Sequence, residues 1–582
     1  MNRLARLLTF GVAIGAFAAL AVVPASAQDT TCCQGGTIIE GNFGGDVKTM
    51  NPILASDTAS QRIISLTQIG FLGVDVDKGA YAPNEPGALV KTWDVSADGK
   101  TYTFHLRNDL VWSDGTPITS ADVLYTWKAI QAAGKGTVDS PLAYVLAAPG
   151  QSGITDVQAP DANTVVVTFS SSECTALGEA SALVPAPTQA LPADVTQLND
   201  ADYNLNPTVT SGPFTFGEFR PGEQVTVNGN PTYKDAIKGV VEPTSYIYKN
   251  VPDANVDVDQ FIAGQLNVVD SPAVARRADI RATNAQVYSY SGDAWDYLAF
   301  NQADPTNPQH ALDDKGNPID QGHHPLFGDV AVRQALSHAI DVNAIIKAAL
   351  FGEGTQMSSF LLPSSWAHDK SLAPITYDPK LAGQMLDAAG FIDDDNDPST
   401  PRVAKGAKYA PDGTKFEFTL YTNDGNARRT AIGQLVQDQL AQIGVKVDFQ
   451  TIDFNTLLDI MNGQTFDAII LGWRNGYPDD PDATSLFTPT GDVVGSGNNF
   501  TSYSNPDFTK LNTEAKSVAG CATADRAPIY QQMEKIMQND VPYIWLEAQN
   551  GMYAAGANVQ GFDPRPDQMI WNVDAWKIGA TP

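Results

Sequence analysis

Residues 416–471 read FEFTLYTNDGNARRTAIGQLVQDQLAQIGVKVDFQTIDFNTLLDIMNGQTFDAIIL, and their periodicity decides the fold class. Phe416 to Tyr421 alternates apolar and polar side chains, the period of a strand. Ala431 to Ile443 has helical spacing and is followed by Gly444, a residue suited to the left-handed position that ends a helix. Val445 to Phe449 reads as the next strand, Thr456 to Met461 as a short helix, and Phe466 to Leu471 as a nearly all-apolar strand. Strand, helix, strand, helix, strand predicts a parallel sheet with crossover helices, because parallel neighbours cannot be joined by a tight turn. Ligands of such sheets bind beyond the carboxyl ends of the strands. The first candidate site is therefore the segment after Leu471, Gly472-Trp-Arg-Asn-Gly-Tyr-Pro-Asp-Asp-Pro-Asp482. Its Trp and Tyr offer rigid apolar faces with polar edges, suited to stacking on peptide or sugar. Its Pro and Asp residues equally suit the turns of an ordinary surface loop.

Outward from this stretch the pattern continues. Asp329 reads as an N-cap, followed at helical spacing by Val332, Leu336, Ile340 and the Ile345/Ile346 pair. Nearer the N-terminus, Thr37 to Glu40, Tyr102 to Leu106 and Thr164 to Phe169 read as strands, and Asp122 to Ile130 as a helix. The chain has 582 residues, beyond the roughly 250–300 at which a single core stops growing, so two large lobes are expected. With 66 acidic against 36 basic residues the net charge is −30, a field that repels nucleic acid and argues against it as a partner.

Arg3 and Arg6, the apolar run Leu7 to Val23 and the small residues Ala25-Ser26-Ala27 form a signal-peptide pattern, so residues 1–27 are expected to be removed on export. Of four cysteines, Cys32 and Cys33 follow the cleavage site without the Leu-Ala-Gly context of a lipidated cysteine, and Cys174 and Cys521 are far apart. In an exported protein four cysteines allow three connectivities; Cys174–Cys521 is one candidate bridge, and spacing does not choose among them.

Searches for catalytic chemistry return little. Gly99-Lys100-Thr101 lacks the upstream glycine of a phosphate loop, which is Asp94 here. His323-His324 stands alone, and no His-Glu-x-x-His occurs. Asp393, Asp395 and Asp397 alternate as in a calcium loop, but Pro398 and Ala404 occupy the positions that need glycine and glutamate. No G-x-S-x-G elbow is present. No catalytic residue, metal or cofactor is assigned.

Several collinear blocks resemble the family 5 extracellular solute-binding proteins, the dipeptide-, oligopeptide- and nickel-binding receptors of ABC transporters. They are Thr49-Met-Asn-Pro52, Leu89 to Trp127 with Tyr102-Thr-Phe-His-Leu-Arg107 and Trp112-Ser-Asp-Gly-Thr-Pro117, Ser211-Gly-Pro-Phe214, Val332-Arg-Gln-Ala-Leu336 with Ala339-Ile-Asp341, Tyr377-Asp-Pro379, Tyr503-Ser-Asn-Pro506 and Gln538-Asn-Asp-Val-Pro542. The resemblance implies an α/β, two-lobed periplasmic-binding-protein-like fold with an extra subdomain on the first lobe. The boundaries it implies are 28–290 for the first lobe, with the inserted subdomain at about 60–200, 291–535 for the second lobe, and 536–582 returning to the first. It implies a non-enzymatic, monomeric receptor in the periplasm or on the outer face of the cytoplasmic membrane, passing a small molecule or peptide to ABC permease subunits. The rival reading is a secreted hydrolase of peptides or glycans; a third is a sensor subunit.

The site residues expected are Trp473 and Tyr477 for stacking, and Asn475 and the Gly476 backbone for hydrogen bonds. Ser56, Asp57 and Thr58 would face them from the opposite lobe, an ordinary helix N-cap being the alternative for that trio. Tyr503 would close the rim. Trp112, Asp114 and Asp122 are assigned to structure. In peptide-binding relatives the loop reads roughly Trp-x-x-Asp-Tyr, its aspartate pairing with the ligand's α-amine; here Gly476 holds that place. Either Asp57, Asp479 or Asp480 substitutes, or the ligand has no free α-amine.

Overall fold

In a computed structural model, residues 32–43, 45–147, 153–395 and 397–579 are described; the signal peptide expected at 1–27 lies outside them. The stretch 416–471 folds as Glu417–Asn423, Ala427–Ala441, Lys446–Ile452, Phe454–Asn462 and Ala468–Arg474, strand and helix alternating. Glu417–Asn423 lies between the other two strands and is parallel to both. The first helix begins four residues before the apolar spacing does, because the Asn426 side chain accepts from the Arg429 backbone N–H and caps it. The apolar series after Asp329 is two helices, Val330–His338 and Val342–Ala349, broken where Asp341 caps the second.

These strands belong to an eleven-stranded mixed sheet that runs through both lobes. At its other end it contains Phe214–Arg220, Gln224–Gly229, Ser245–Asn250, Thr37–Asn42 and Val268–Asp270. Two long antiparallel strands, Gln286–Phe300 and Tyr543–Ala555, join the two groups of strands. Residues 286–291 of the former pair with 550–555, 295–299 pair with 543–548, and 294–300 pair with Ala468–Arg474. Between them the register slips from Ser291/Asn550 to Trp295/Ala548. A bulge of this kind bends a strand and interrupts its ladder.

Alternation along the strands builds a core on each face. Leu298, Phe300 and Ile470 pack under helices Val330–His338, Val342–Ala349 and Ala427–Ala441. Their neighbours Tyr297, Ala299, Ile469 and Leu471 pack on the other side against Phe454–Asn462, Pro506–Lys516 and Thr523–Asp540. A strand covered on both faces reads as an unbroken apolar run, which is why Ala468 to Leu471 does.

A separate four-stranded antiparallel sheet, ordered Val90–Val95, Thr101–Leu106, Thr164–Phe169, Ile154–Asp161, has its own core with helix Ser120–Ala133. Trp112 is buried there; Asp114 accepts from the Thr116 N–H at 2.9 Å in a turn, and Asp122 completes a capping box with Thr119. The structural assignment of all three stands.

The first lobe contains an unusual buried acid. Asp257, on helix Ala254–Ile262, is fully buried against Gly41, and neither carboxylate oxygen has a hydrogen-bond partner among the described residues. Burial pushes its carboxyl up to about 6; burial does the same to Asp574, to about 6, and to Asp567, to about 7. A carboxyl that binds its proton more tightly when folded stabilises the fold below its unfolded value near 3.8, and that stability is lost as pH rises through 6 to 7. The expected result is a higher melting temperature at pH 5 than at pH 7.5 in scanning calorimetry, with a shallower pH slope in Asp257→Asn. A melting temperature that rises steadily from pH 5 to 7.5 would contradict this.

Candidate functional site

The strand Ala468–Arg474 leads directly into a loop that lines a cavity. Trp473 pairs with Trp295 and stacks its ring on Tyr297, centroids 6.2 Å apart, so it is part of the second-lobe core rather than a free platform. Asn475 shapes the loop: its backbone N–H donates to Asp293 O at 3.0 Å, its Oδ1 accepts from Trp295 Nε1 at 3.0 Å, and its Nδ2 donates to Asp479 Oδ1 at 3.1 Å. Gly476 and Tyr477 then reach open space; a Cβ built on Gly476 meets nothing within 4 Å.

That space is a cavity of about 1030 Å³, walled on one side by the four-stranded sheet, the hairpin of Gly73–Asp75 and Ala80–Ala82 and helix Ala176–Ser181, and on the other by the loop after Arg474 and the segment joining helices Pro506–Lys516 and Thr523–Asp540. Tyr81, Trp93, Tyr102 and Tyr144 face it from the first side, Trp366 and Tyr477 from the second. The Tyr477 hydroxyl lies 3.5 Å from Val76 O across the gap. Several charged groups in the wall are held by protein partners, some charged and some neutral. Asp480 accepts from Arg526 at 2.9 Å, and the Arg526 guanidinium lies 5.2 Å over the Trp366 ring. Lys516 sits 3.0 Å from Glu173 and 3.4 Å from Asp482. Asp479 accepts from the Ser365 hydroxyl and from Asn475, and burial pushes its carboxyl above the usual range. Aromatic rings in such a wall offer apolar surface to a solute.

The other expected residues lie elsewhere. Asp57 caps helix Thr58–Thr67, its carboxylate accepting from the Ser60 N–H at 2.9 Å and the Ser60 hydroxyl at 2.7 Å. Ser56 and Thr58 flank it, exposed, and none of the three lines the cavity. Tyr503 is 2% exposed; its hydroxyl donates to Asp540 at 2.8 Å beside a smaller recess of about 390 Å³ on the second lobe, so it does not form the rim of the main cavity. Sequence reasoning missed Tyr81, Trp93, Tyr102, Tyr144, Trp366 and Arg526. Tyr102 lies inside a block read as family signature and strand; the rest carry no local mark and meet only in three dimensions.

Among the described residues no group of three or more His, Cys, Asp or Glu is placed to hold a metal ion, and no helix is long and apolar enough to cross a membrane. The model of the bacterial extracellular solute-binding proteins, family 5 Middle, matches residues 85–494. The chain belongs to the family 5 extracellular solute-binding proteins. A curated family 5 relative, the oligopeptide-binding protein AppA of Bacillus subtilis, is 26% identical over 555 residues, covering 93% of this chain and 92% of its own. The structure of B. subtilis AppA in complex with a nonapeptide matches with a TM-score of 0.68 at 24% identity, over 94% of this chain and 100% of that one. The ABC transporter substrate-binding protein CtaP of Listeria monocytogenes matches with a TM-score of 0.73 at 23% identity, over 94% and 99%. The two-lobed fold is thus shared along nearly the whole length. As a family 5 protein the chain is a transport receptor and not an enzyme, and nothing supports the hydrolase alternative.

Proposed function

We propose that this receptor captures a peptide between its lobes outside the cytoplasmic membrane and presents it to the permease of an ABC importer. The observation that carries the reading is the aromatic cavity of about 1030 Å³ whose wall includes the loop after the central strand. It is at the upper end of the 300–1,000 Å³ usual for ligand pockets. Peptide binding by the relative AppA, over nearly equal chain lengths, supports the ligand class.

In this reading residues 28–290 and 536–582 form the first lobe, with the subdomain inserted at about 60–200, and 291–535 form the second. Rotation about the bulged strands closes the cleft, and the exported protein acts as a monomer in the periplasm or at the outer face of the cytoplasmic membrane. Tyr477 and the Gly476 backbone contact the solute, with Trp473 and Asn475 positioning them. Asp57, Asp479 and Asp480 already hold protein partners. This favours a ligand that presents no ammonium to this wall, since a charge buried there would lack a counter-ion.

Thermal shift with a peptide library, followed by mass spectrometry of the recovered ligand, tests the proposal. Binding to the native state alone raises the melting temperature, and the ligand mass should be unchanged, with N-acetylated peptides at least as effective as free-amine ones. Cleaved ligand, or no shift with any peptide, would overturn it. Tyr477→Ala is expected to weaken peptide binding by at least about 1 kcal/mol, as for an aromatic anchor, while leaving the melting temperature of the ligand-free protein unchanged. Equal affinity in isothermal titration would place the contact elsewhere.

A further inference from the structure

Hinge closure assumes that the lobes can part on the side away from the connecting strands. Two segments carry the chain between lobes, Gln286–Phe300 and Tyr543–Ala555. A disulfide between Cys174 and Cys521 makes a third covalent connection. Cys174 follows strand Thr164–Phe169 and precedes helix Ala176–Ser181, whose Ala176 and Ala180 are buried in the subdomain core. Cys521 joins helices Pro506–Lys516 and Thr523–Asp540, whose Phe508, Ala515, Tyr530 and Met533 are buried in the second lobe. The two Cα atoms are 5.3 Å apart, although 347 positions separate them in sequence. Beside the bridge, the Cys174 backbone N–H donates to Lys516 O at 2.8 Å and Lys516 pairs with Glu173 at 3.0 Å. Both cysteines line the cavity and are partly exposed to it.

The hydrogen bond and the ion pair can be exchanged for water when the cleft opens. The covalent bond cannot: a disulfide keeps its Cα atoms within about 4.4–6.8 Å. Any rotation about the bulged strands that separates the subdomain from the second lobe must lengthen that distance. We propose that Cys174–Cys521 is a redox-operated latch on the cleft. Oxidised, it holds this edge shut and limits both the amplitude of opening and the exchange of solute; reduced, it frees the lobes to open fully. The partner this requires is a dithiol reductant of the exported compartment. Its thiolate attacks one sulfur of the bridge and forms a mixed disulfide, releasing the other cysteine as a thiolate that takes up a proton. Its second thiol then attacks the mixed disulfide and releases the remaining cysteine. Two electrons and two protons pass to the bridge, and the reductant leaves as its own disulfide.

The proposal rests on the hinge reading and not on the ligand being a peptide, so it is tested without ligand. Small-angle scattering would be recorded on the full chain, oxidised, reduced with dithiothreitol under native conditions, and as Cys174→Ser/Cys521→Ser. A Cys32→Ser/Cys33→Ser control, oxidised and reduced, separates the effect from the vicinal pair. The expected result is a shift to larger radius of gyration in the reduced protein, in the reduced control and in the Cys174/Cys521 variant, with the oxidised control unchanged. Native circular dichroism shows that each form is folded, and if the variant does not fold, the reduced wild type carries the test. Identical scattering from oxidised and reduced protein would overturn the latch. So would alkylation and mass spectrometry showing that the native bridge resists the dithiol. Failure of the peptide assignment would instead appear in the thermal shifts, whatever the scattering shows.

Discussion

Asp296→Ala is expected to lower the unfolding free energy by about 3–5 kcal/mol, the usual loss when one partner of a buried ion pair is removed. Asp296 is 0% exposed and lies on the connecting strand Gln286–Phe300 just after its bulge. Its Oδ2 accepts from Arg428 Nε at 3.0 Å and Nη2 at 2.8 Å, and its Oδ1 accepts from Arg429 Nε at 3.2 Å and Nη2 at 3.0 Å. Both arginines begin helix Ala427–Ala441, so one carboxylate ties that helix to the strand that leads out of the lobe. The neighbouring strand makes room: a Cβ on Gly472 would sit 2.2 Å from Asp296 Oδ1 and 2.7 Å from Arg429 Nη2. Glu547, paired with Asp296 across the sheet, is also fully buried, and its carboxyl is held well above the normal range by burial and by the Asp296 charge. Neither Glu547 carboxylate oxygen has a hydrogen-bond partner among the described residues, so Glu547→Gln breaks no hydrogen bond and should cost far less than Asp296→Ala. Urea unfolding of the two variants separates these cases; equal losses would show that Glu547 shares the charge.

Tyr297→Ala is expected to cost a similar amount, about 3–5 kcal/mol, through the cavity it leaves. Tyr297 is 1% exposed at the centre of the aromatic cluster on the other face of the same strand. Its ring stacks on Tyr543 with centroids 4.2 Å apart, and Trp295, Trp473 and Phe500 lie at 5.5, 6.2 and 6.4 Å. Rings from three strands cannot collapse into the gap together, so little of the loss is recovered by relaxation. Because Trp473 rests on this ring, the variant should also perturb the loop that leads to the cavity. A melting temperature within one or two degrees of wild type would contradict this packing.

How much of the receptor was legible before folding differs by element. The alternation at 416–471 and the Asp329 cap are local signals, and the strands and helices appear where those signals lie, with ends displaced by one to four residues. The displacements follow capping: Asn426 and Asp453 accept from backbone N–H groups ahead of the first apolar residue and start their helices early. The site was legible only in its loop. Gly476 and Tyr477 line the cavity, whereas Trp473 has its ring in the core and Asn475 spends its amide on Trp295 and Asp479. Asp57 obeys the short-range rule of a cap, and Tyr503 follows the burial of an aromatic that can donate its hydroxyl to Asp540.

The sequence by itself determined the α/β class, the export pattern and the family, because periodicity, capping and motif order are properties of neighbours along the chain. The tertiary structure alone decided which of three cysteine pairings forms, which rings share a wall, and that one sheet runs through both lobes. Those facts depend on residues hundreds of positions apart, such as Cys174 and Cys521 or Trp93 and Trp366, whose meeting is fixed by how buried strands stack and not by any spacing that can be read along the chain.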